Sequence, residues 1–452
     1  MSLFSSLRRE QKEAIGLLQI GTFLEYFDLM LYVHMAVLLN DLFFPKTDPH
    51  TAALLSAFAF CSTYVLRPFG ALIFGYIGDN IGRKTTVIMT TMMMSMSCVV
   101  MANLPTYDQI GIAAAWIVTI CRMTQGLSSM GELMGAEIYL TEITKPPARY
   151  PAVALIGCIT RFGTMVALGV ASLVTSYGLN WRLAFWIGAG IAMIGTVART
   201  RLRETPDFVD MKKRIQIAIE KSSADGLAKA AELLKTTNPI WKEKVNKKTA
   251  WAFFLIYCGP PVCLYVTYMH CGFILKTLGY TPGQIIHQNL VISAIEFLSI
   301  LVTVFLSYKI HPLKIIKVRL FLLIPCMLFA LYVLSNNTTP SSVFLFQVIT
   351  ACLPITPVPA AGVFFIYFPV LKRFTCASFM YALSRAIMHV ITAFCLVYIS
   401  EIFGHWGLLI IMIPLSIGFL WGVHHFEKLE KKFETPLNAK ELGESMMLSA
   451  SS

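Results

Sequence analysis

Apolar runs long enough to cross a bilayer recur along the whole chain, separated by short polar connectors. A spanning helix needs roughly 20 predominantly apolar residues. Twelve segments approach or exceed that length: 14–39, 52–77, 85–103, 110–140, 151–176, 183–202, 250–275, 285–307, 318–335, 342–368, 377–399 and 405–426. One connector breaks the rhythm. Residues 203–249 are polar and lysine-rich, with two short helix-like pieces at 207–221 and 225–235 that end near Asn238-Pro239. The pattern predicts an all-α membrane protein of twelve transmembrane helices in two six-helix bundles. The expected units are an N-terminal bundle at 1–202, a linker at 203–249, a C-terminal bundle at 250–426 and a tail at 427–452.

Composition agrees with burial in lipid. Only 14% of the 452 residues are charged and 56% are hydrophobic, whereas a soluble domain carries about 25% charged residues. The net charge of +12 does not point to nucleic acid, because no basic patch with interleaved aromatics exists and the excess lies between apolar spans. The eleven cysteines lie in or beside apolar stretches without metal-type spacing. They read as small buried hydrophobes, and no cofactor or metal is expected. The run from Ala14 to Leu39 is too long for a signal-peptide core and lacks a cleavage pattern, so it reads as a retained first helix.

Lysine and arginine bias sets the orientation. With the N-terminus inside, Arg8, Arg9, Lys12, Arg83, Lys84, Lys145, Arg149, Lys309, Lys314, Lys317, Arg319, Lys372 and Arg373 fall on the inner side, with the lysines of 428–440 and of the linker. The outer connectors carry only Lys46, Arg182 and Lys276. Both termini are therefore expected in the cytoplasm, in an inner membrane.

The most specific local pattern is Gly75-Tyr-Ile-Gly78-Asp79-Asn-Ile-Gly82-Arg83-Lys84, between the second and third spans. Its glycines permit two helix ends and a tight turn to approach closely, and Asp79 and Arg83 can form a charge-assisted contact there. Such a cluster can latch two bundles in one state and release them in another. The pattern resembles the signature loop of the major facilitator superfamily. Glu25-Tyr-Phe-Asp28, Phe43-Phe-Pro45, Arg67-Pro68-Phe-Gly70, Arg122-Met-Thr-Gln125-Gly126, Gly131-Glu132, Trp181-Arg182 and Glu204-Thr205-Pro206 resemble its metabolite:proton symporter branch, which includes proline/betaine, shikimate, citrate and 2-oxoglutarate permeases. The resemblance is dense over 15–210. It is thinner beyond, where Tyr367-Phe368-Pro369 and Arg373 carry it. It implies the major facilitator fold and alternating access. The second-half counterpart of the signature loop, at 308–319, lacks the acidic and Gly-Arg elements, Ile366 replaces a usual acidic residue, and Arg385 and His389 charge a stretch that is usually less charged.

Charge at membrane depth makes an independent case, because ionisable groups in a bilayer are costly and usually face a partner or a cavity. Glu25, Asp28 and Tyr32 share one helix face, as do Arg122, Gln125, Ser129 and Glu132, and again Ser378, Tyr381, Arg385, His389 and Thr392. Arg67 lies 12 residues before Asp79, roughly 18 Å into the membrane by helical rise. Arg161 and Glu296 are also deep, whereas Glu137 and Glu401 read as span-end, solvated groups. Gly259-Pro260-Pro261, beside Tyr257 and Tyr265, and Pro354, Pro357 and Pro359 mark expected bends, tolerated at depth only against protein or a cavity.

These residues predict a proton-coupled importer of a small organic acid or zwitterion. Asp28, Glu25, Glu132 and Glu296 are candidate proton carriers, with Arg122 the expected partner of Asp28. Tyr32, Arg67, Gln125, Arg161, Tyr257, Tyr265, Arg385 and His389 are candidate substrate contacts. The protein is expected to act as a monomer, with substrate, protons and lipid as its partners. Two alternatives stand beside this one. A proton-coupled exporter is disfavoured because Gly157-Cys-Ile-Thr-Arg161-Phe-Gly163 lacks the Gly-Pro-rich signature of antiporter branches. A transport-inactive receptor is allowed by the divergent second loop. No nucleophile–base or phosphate-loop pattern suggests an enzyme.

Overall fold

The computed structural model describes residues 7–44, 63–177, 180–200, 202–205, 208–210, 212–213 and 245–449. Side chains past Lys432, and those of Glu132 and Glu401, lie outside the description. So do most of the two helix-like pieces expected in the linker and the first part of the second apolar run.

The principal helices of the first half are α1 (Arg9–Phe43), α2 (Arg67–Asn80), α3 (Arg83–Asn103), α4 (Ile112–Ile143), α5 (Arg149–Tyr177) and α6 (Arg182–Arg199). The second half contains α7 (Lys247–Thr277), α8 (Pro282–Lys309), α9 (Pro312–Asn336), α10 (Pro340–Cys352), α11 (Val370–Phe403) and α12 (Leu408–Ser449). Among the described residues, eight helices are long and apolar enough to cross a membrane.

Local chemistry explains the boundaries. Asn246 accepts from the Lys248 N–H to cap α7. Thr281 with Gln284 and Pro282, and Thr339 with Ser342 and Pro340, form capping boxes with proline in the first turn. Gly82, at φ 150°, turns the chain between α2 and α3 in a conformation that favours glycine. The Glu204 carboxylate then accepts from the first N–H groups of α3, Arg83 at 3.0 Å and Lys84 at 3.3 Å. Such a carboxylate suits a helix N-terminus.

Two expected spans are bent or broken. In α7 the helix is interrupted at Gly259-Pro260-Pro261, and a π-helical turn follows at Tyr265–His270. The run 342–368 is not one helix. It ends at Cys352, passes through irregular backbone containing Pro354, Pro357 and Pro359, and resumes as a single turn at Ala361–Phe364. Each proline removes a backbone donor and blocks the preceding turn. At the other extreme, α12 continues well past the expected span end.

Large apolar side chains cover the outer face as well as fill the core, while the charged side chains of the spans lie inside. Met89, Met92, Met96 and Val100 of α3 are exposed, as are Trp186, Ile194 and Val197 of α6 and Val318, Phe321 and Phe329 of α9. So much exposed apolar surface marks a face covered by something other than water. Buried inside are Glu25, Asp28, Arg67, Arg122, Glu137, Glu296, Arg319 and Arg385.

Within the first half, α1 packs on α5, and α3 lies between α4 and α6. Within the second, α7 packs on α12 and α11, and α10 on α8 and α9. The halves meet chiefly where α5 lies along α8 and α2 along α11. The second contact depends on missing side chains. A Cβ at Gly75 would come within 2.6 Å of the Thr375 Cα, and one at Gly78 within 2.7 Å of the Phe374 ring.

Candidate functional site

At the end of the molecule that carries the linker, the close approach of α2 and α11 is sealed by charge. Asp79 accepts hydrogen bonds from the Phe374 N–H (3.1 Å), the Thr375 N–H (2.8 Å) and the Thr375 hydroxyl (2.7 Å). Arg83 lies 3.1 Å from the same carboxylate. It also donates to the Gly78 carbonyl and, across the interface, to the Val370 carbonyl at 2.7 Å. Glu142 of α4 sits between Arg83 (3.4 Å) and Arg373 of α11 (2.9 Å), and accepts from the Thr205 hydroxyl at 2.6 Å. Every charged member of this cluster is buried and multiply partnered. Buried ion pairs are retained cheaply only under that condition.

Deeper in the first half, pairing is looser. Arg67 approaches Glu25 only to 3.9 Å and lies 4.8 Å from the Tyr64 ring centroid. Among the described residues, none of the three Arg67 guanidinium nitrogens makes a hydrogen bond. Arg122 is 3.7 Å from Asp28, donates to Gln125 at 2.9 Å and covers the Tyr32 ring at 4.0 Å. The Cys98 thiol donates to the other Asp28 oxygen.

Between the halves, Arg161 of α5 pairs with Glu296 of α8 at 3.1 Å, and Tyr268 of α7 donates to the second Glu296 oxygen at 2.7 Å. This assembly borders a cavity of about 40 Å3 at the centre of the interface. Tyr26, Glu137 and Arg161 line it from the first half, and Tyr257, Tyr381 and Arg385 from the second. The Tyr257 hydroxyl lies 3.5 Å from Glu137, and the Arg385 guanidinium 4.5 Å from the Tyr381 ring centroid. The broken stretch of α10 contributes Thr356, Pro357 and Val358, so irregular backbone at membrane depth does line a cavity.

The structure thus brings Arg161, Tyr257 and Arg385 to one place. Asp28, Arg122, Gln125 and Tyr32 form a separate cluster inside the first half. His389 packs against Tyr64, with ring centroids 3.9 Å apart and the planes tilted by 42°, one helical turn beyond Arg385. Tyr265 is not brought to the central cavity. It lines a groove of about 530 Å3 with His270, Phe273 and His405, because the helix rotates between Tyr257 and the π-helical turn. The Glu132 side chain lies outside the described residues.

Sequence reasoning missed three charged groups. Glu137 was read as solvated and is instead 5% exposed at the central cavity. Glu142, not singled out at all, is the hub of the cross-half cluster. Arg319, counted as an inner-side charge, is buried and donates to Thr303 (3.1 Å) and to the Cys352 carbonyl that ends α10 (2.8 Å). The signal for Glu137 and Glu142 was their own spacing, since i and i+5 on α4 aim one at the cavity and the other at the linker-end interface.

Apolar-sided helices enclosing buried charge, two halves joined along paired helices and a polar cavity at the joint define a polytopic membrane transporter. The Major Facilitator Superfamily profile matches residues 18–370, and the chain belongs to that superfamily, which is a transport family rather than an enzyme family. It is 35% identical over 215 residues to the inner membrane metabolite transport protein YhjE of Escherichia coli, covering 44% of this chain and 48% of that protein. It is 29% identical over 288 residues to the proline/betaine transporter of the same organism, covering 61% and 53%. The chain thus spans about half the length of each. A putative metabolite transport protein of Haemophilus influenzae is 30% identical over 407 residues, covering 86% and 89%. Among solved structures, the proton:xylose symporter XylE matches with a TM-score of 0.72 at 15% identity over 92% of this chain and 95% of that one. FucP in an outward conformation matches with 0.64 at 12%, over 92% and 99%. At those identities the likeness is one of fold.

Proposed function

We propose that the protein imports a small carboxylate or zwitterionic metabolite with protons. Its twelve spanning helices move as two six-helix bundles, with both termini in the cytoplasm of an inner-membrane monomer. The observation that carries this reading is the asymmetry of the interface. Its linker end is closed by several cross-half hydrogen bonds and ion pairs, while its centre holds a small polar cavity with buried acids and arginines. A cavity of about 40 Å3 accommodates little more than ordered water, so substrate must enter by parting the bundles. Alternating access at a midplane site between repeats does this without opening both ends at once.

Proton coupling follows from the loose acid–arginine pairs. A proton on Asp28 removes the attraction to Arg122 and frees that guanidinium to rearrange. A neutral carboxyl is also the less costly form in a low-dielectric interior. The names of the relatives, metabolite and proline/betaine transporters among them, support the substrate range. In proteoliposomes carrying an inward proton gradient, radiolabelled substrate should accumulate above equilibrium and drain on addition of a protonophore. Accumulation that follows a sodium gradient at constant pH would overturn the proton assignment. Net efflux under the same gradient would favour export.

A further inference from the structure

The central cavity holds an acid and a guanidinium that, among the described residues, form no close ion pair. Glu137 approaches it from α4, and Arg385 faces it from α11 across the interface. Both are buried, at 5% and 9% exposure. Among the described residues neither lies within 4.0 Å of an oppositely charged side chain. Arg161, the other guanidinium at the cavity, is already committed to Glu296 at 3.1 Å. Among the described residues the Glu137 carboxylate has one hydrogen-bond partner, the Tyr257 hydroxyl at 3.5 Å, with Arg385 acting on it from farther away, and the Arg385 Nε makes no hydrogen bond. Between the two charges stand the Tyr257 and Tyr381 rings, edge to face with centroids 5.2 Å apart.

A buried charge without a partner is expensive, and the expense persists only where something else neutralises it. A single ligand carrying both a carboxylate and an ammonium would neutralise both groups at once. Guanidinium is suited to bidentate binding of a carboxylate. Aromatic faces beside a carboxylate suit a quaternary or secondary ammonium. We propose that Glu137 is the specificity-determining acid of the cavity, taking the ammonium of a zwitterionic substrate against the Tyr257 and Tyr381 rings while Arg385 takes its carboxylate. The proposal rests on the transporter reading and narrows it. Anions lacking an ammonium, and dicarboxylates above all, would leave Glu137 unpaired or set a like charge beside it. They are rejected for that reason.

The test compares matched ligands on the purified full-length protein, by calorimetry or thermal shift. Glycine betaine is set against tert-butylacetate, its isostere with carbon in place of the quaternary nitrogen, and L-proline against cyclopentanecarboxylate. Wild type should bind at least one zwitterion about tenfold or more tightly than its isostere, the scale of one charge-assisted contact. Glu137→Gln should erase that preference, bringing each pair within about twofold. Glu137→Asp should retain part of it, and Arg385→Ala should weaken both members of a pair alike. The melting temperature of each ligand-free variant separates loss of recognition from loss of folding, and Glu137→Asp gives a second, milder reading of the same contact. Tighter binding of a dicarboxylate such as succinate than of either zwitterion would overturn the proposal. So would a Glu137→Gln variant with undiminished preference, which would make Glu137 a proton site only. Either result, alongside intact proton-driven uptake in proteoliposomes, leaves the transporter reading standing. Loss of proton-driven uptake in the wild type would remove that reading instead.

Discussion

The linker end and the centre of the same interface solve the problem of buried charge in opposite ways. At the linker end, Asp79 accepts three hydrogen bonds beside Arg83, and Glu142 lies between two arginines. At the centre, Glu137 and Arg385 have no ion pair within 4.0 Å among the described residues, and the nearest acid–hydroxyl contact of Glu137 is 3.5 Å. On the function proposed above, the contrast separates what would hold the protein in one state from what would receive a ligand. A multiply bonded cluster stabilises the arrangement in which it forms and resists leaving it. An unsaturated one gains from a proton or a substrate, and a ligand shifts a conformational equilibrium only by its differential affinity for the states.

The largest test of this contrast removes the latch. Arg83→Ala would leave Asp79 and Glu142 with one cation fewer in a dry interface, and breaking a buried pair typically costs about 3–5 kcal/mol. Turnover should fall about a hundredfold while equilibrium substrate binding stays within about threefold, since 1.4 kcal/mol corresponds to a factor of ten. Binding lost in proportion to turnover would mean that the two ends are not separable.

Asp28→Asn, at the loosely paired depth of the first half, should leave exchange running. Accumulation against a gradient should vanish, and the pH dependence of substrate binding should flatten. Arg122→Ala should couple to it by about 0.5–3 kcal/mol in a double-mutant cycle, as contacting residues do. A variant that still concentrates substrate would take Asp28 out of the coupling step, leaving Glu25 and Glu296 to be examined.

A gentler wedge sharpens the picture at the closed end. Gly75→Val places side-chain atoms where the Thr375 backbone stands only 2.6 Å from a Cβ, and helices cannot interpenetrate. The closed state should be disfavoured. The half-buried Cys376 thiol beside the latch should react severalfold faster with a membrane-permeant maleimide, read by mass spectrometry against the buried Cys271. An unchanged Cys376 rate would show that α2 and α11 yield without parting.

The smallest effect is expected at Tyr265. It lines the outlying groove rather than the central cavity, so Tyr265→Phe should alter substrate affinity less than about twofold, the usual range for a side chain outside a binding site. A larger loss would place that groove on the substrate's route.

The chain alone determined the helical membrane architecture, because a bilayer leaves so few alternatives. Backbone groups must be satisfied within each span, so apolar length and connector polarity read out the segments directly. The glycine-rich turn was legible for the same reason: only glycine allows α2 to approach α11 at Gly75 and to turn at Gly82. Asp28 and Arg122 could be paired in advance, since each lay on a polar face of its own helix. What the chain could not supply was which faces meet. Glu137 and Glu142 lie on one helix five residues apart, yet one reaches the central cavity and the other the cross-half cluster. The depth and rotation of α4 against α7 and α11 decide that, through contacts between residues more than a hundred positions apart, Glu137 with Tyr257 and Glu142 with Arg373. The same holds for Tyr257 and Tyr265, which α7 separates by bending at Gly259-Pro260-Pro261, and for Arg319, whose partner is a carbonyl freed where prolines end α10. Periodicity places a side chain on a face. Only packing selects the partner across from it, because the cost of a buried charge is set by its neighbours rather than by its own position in the chain.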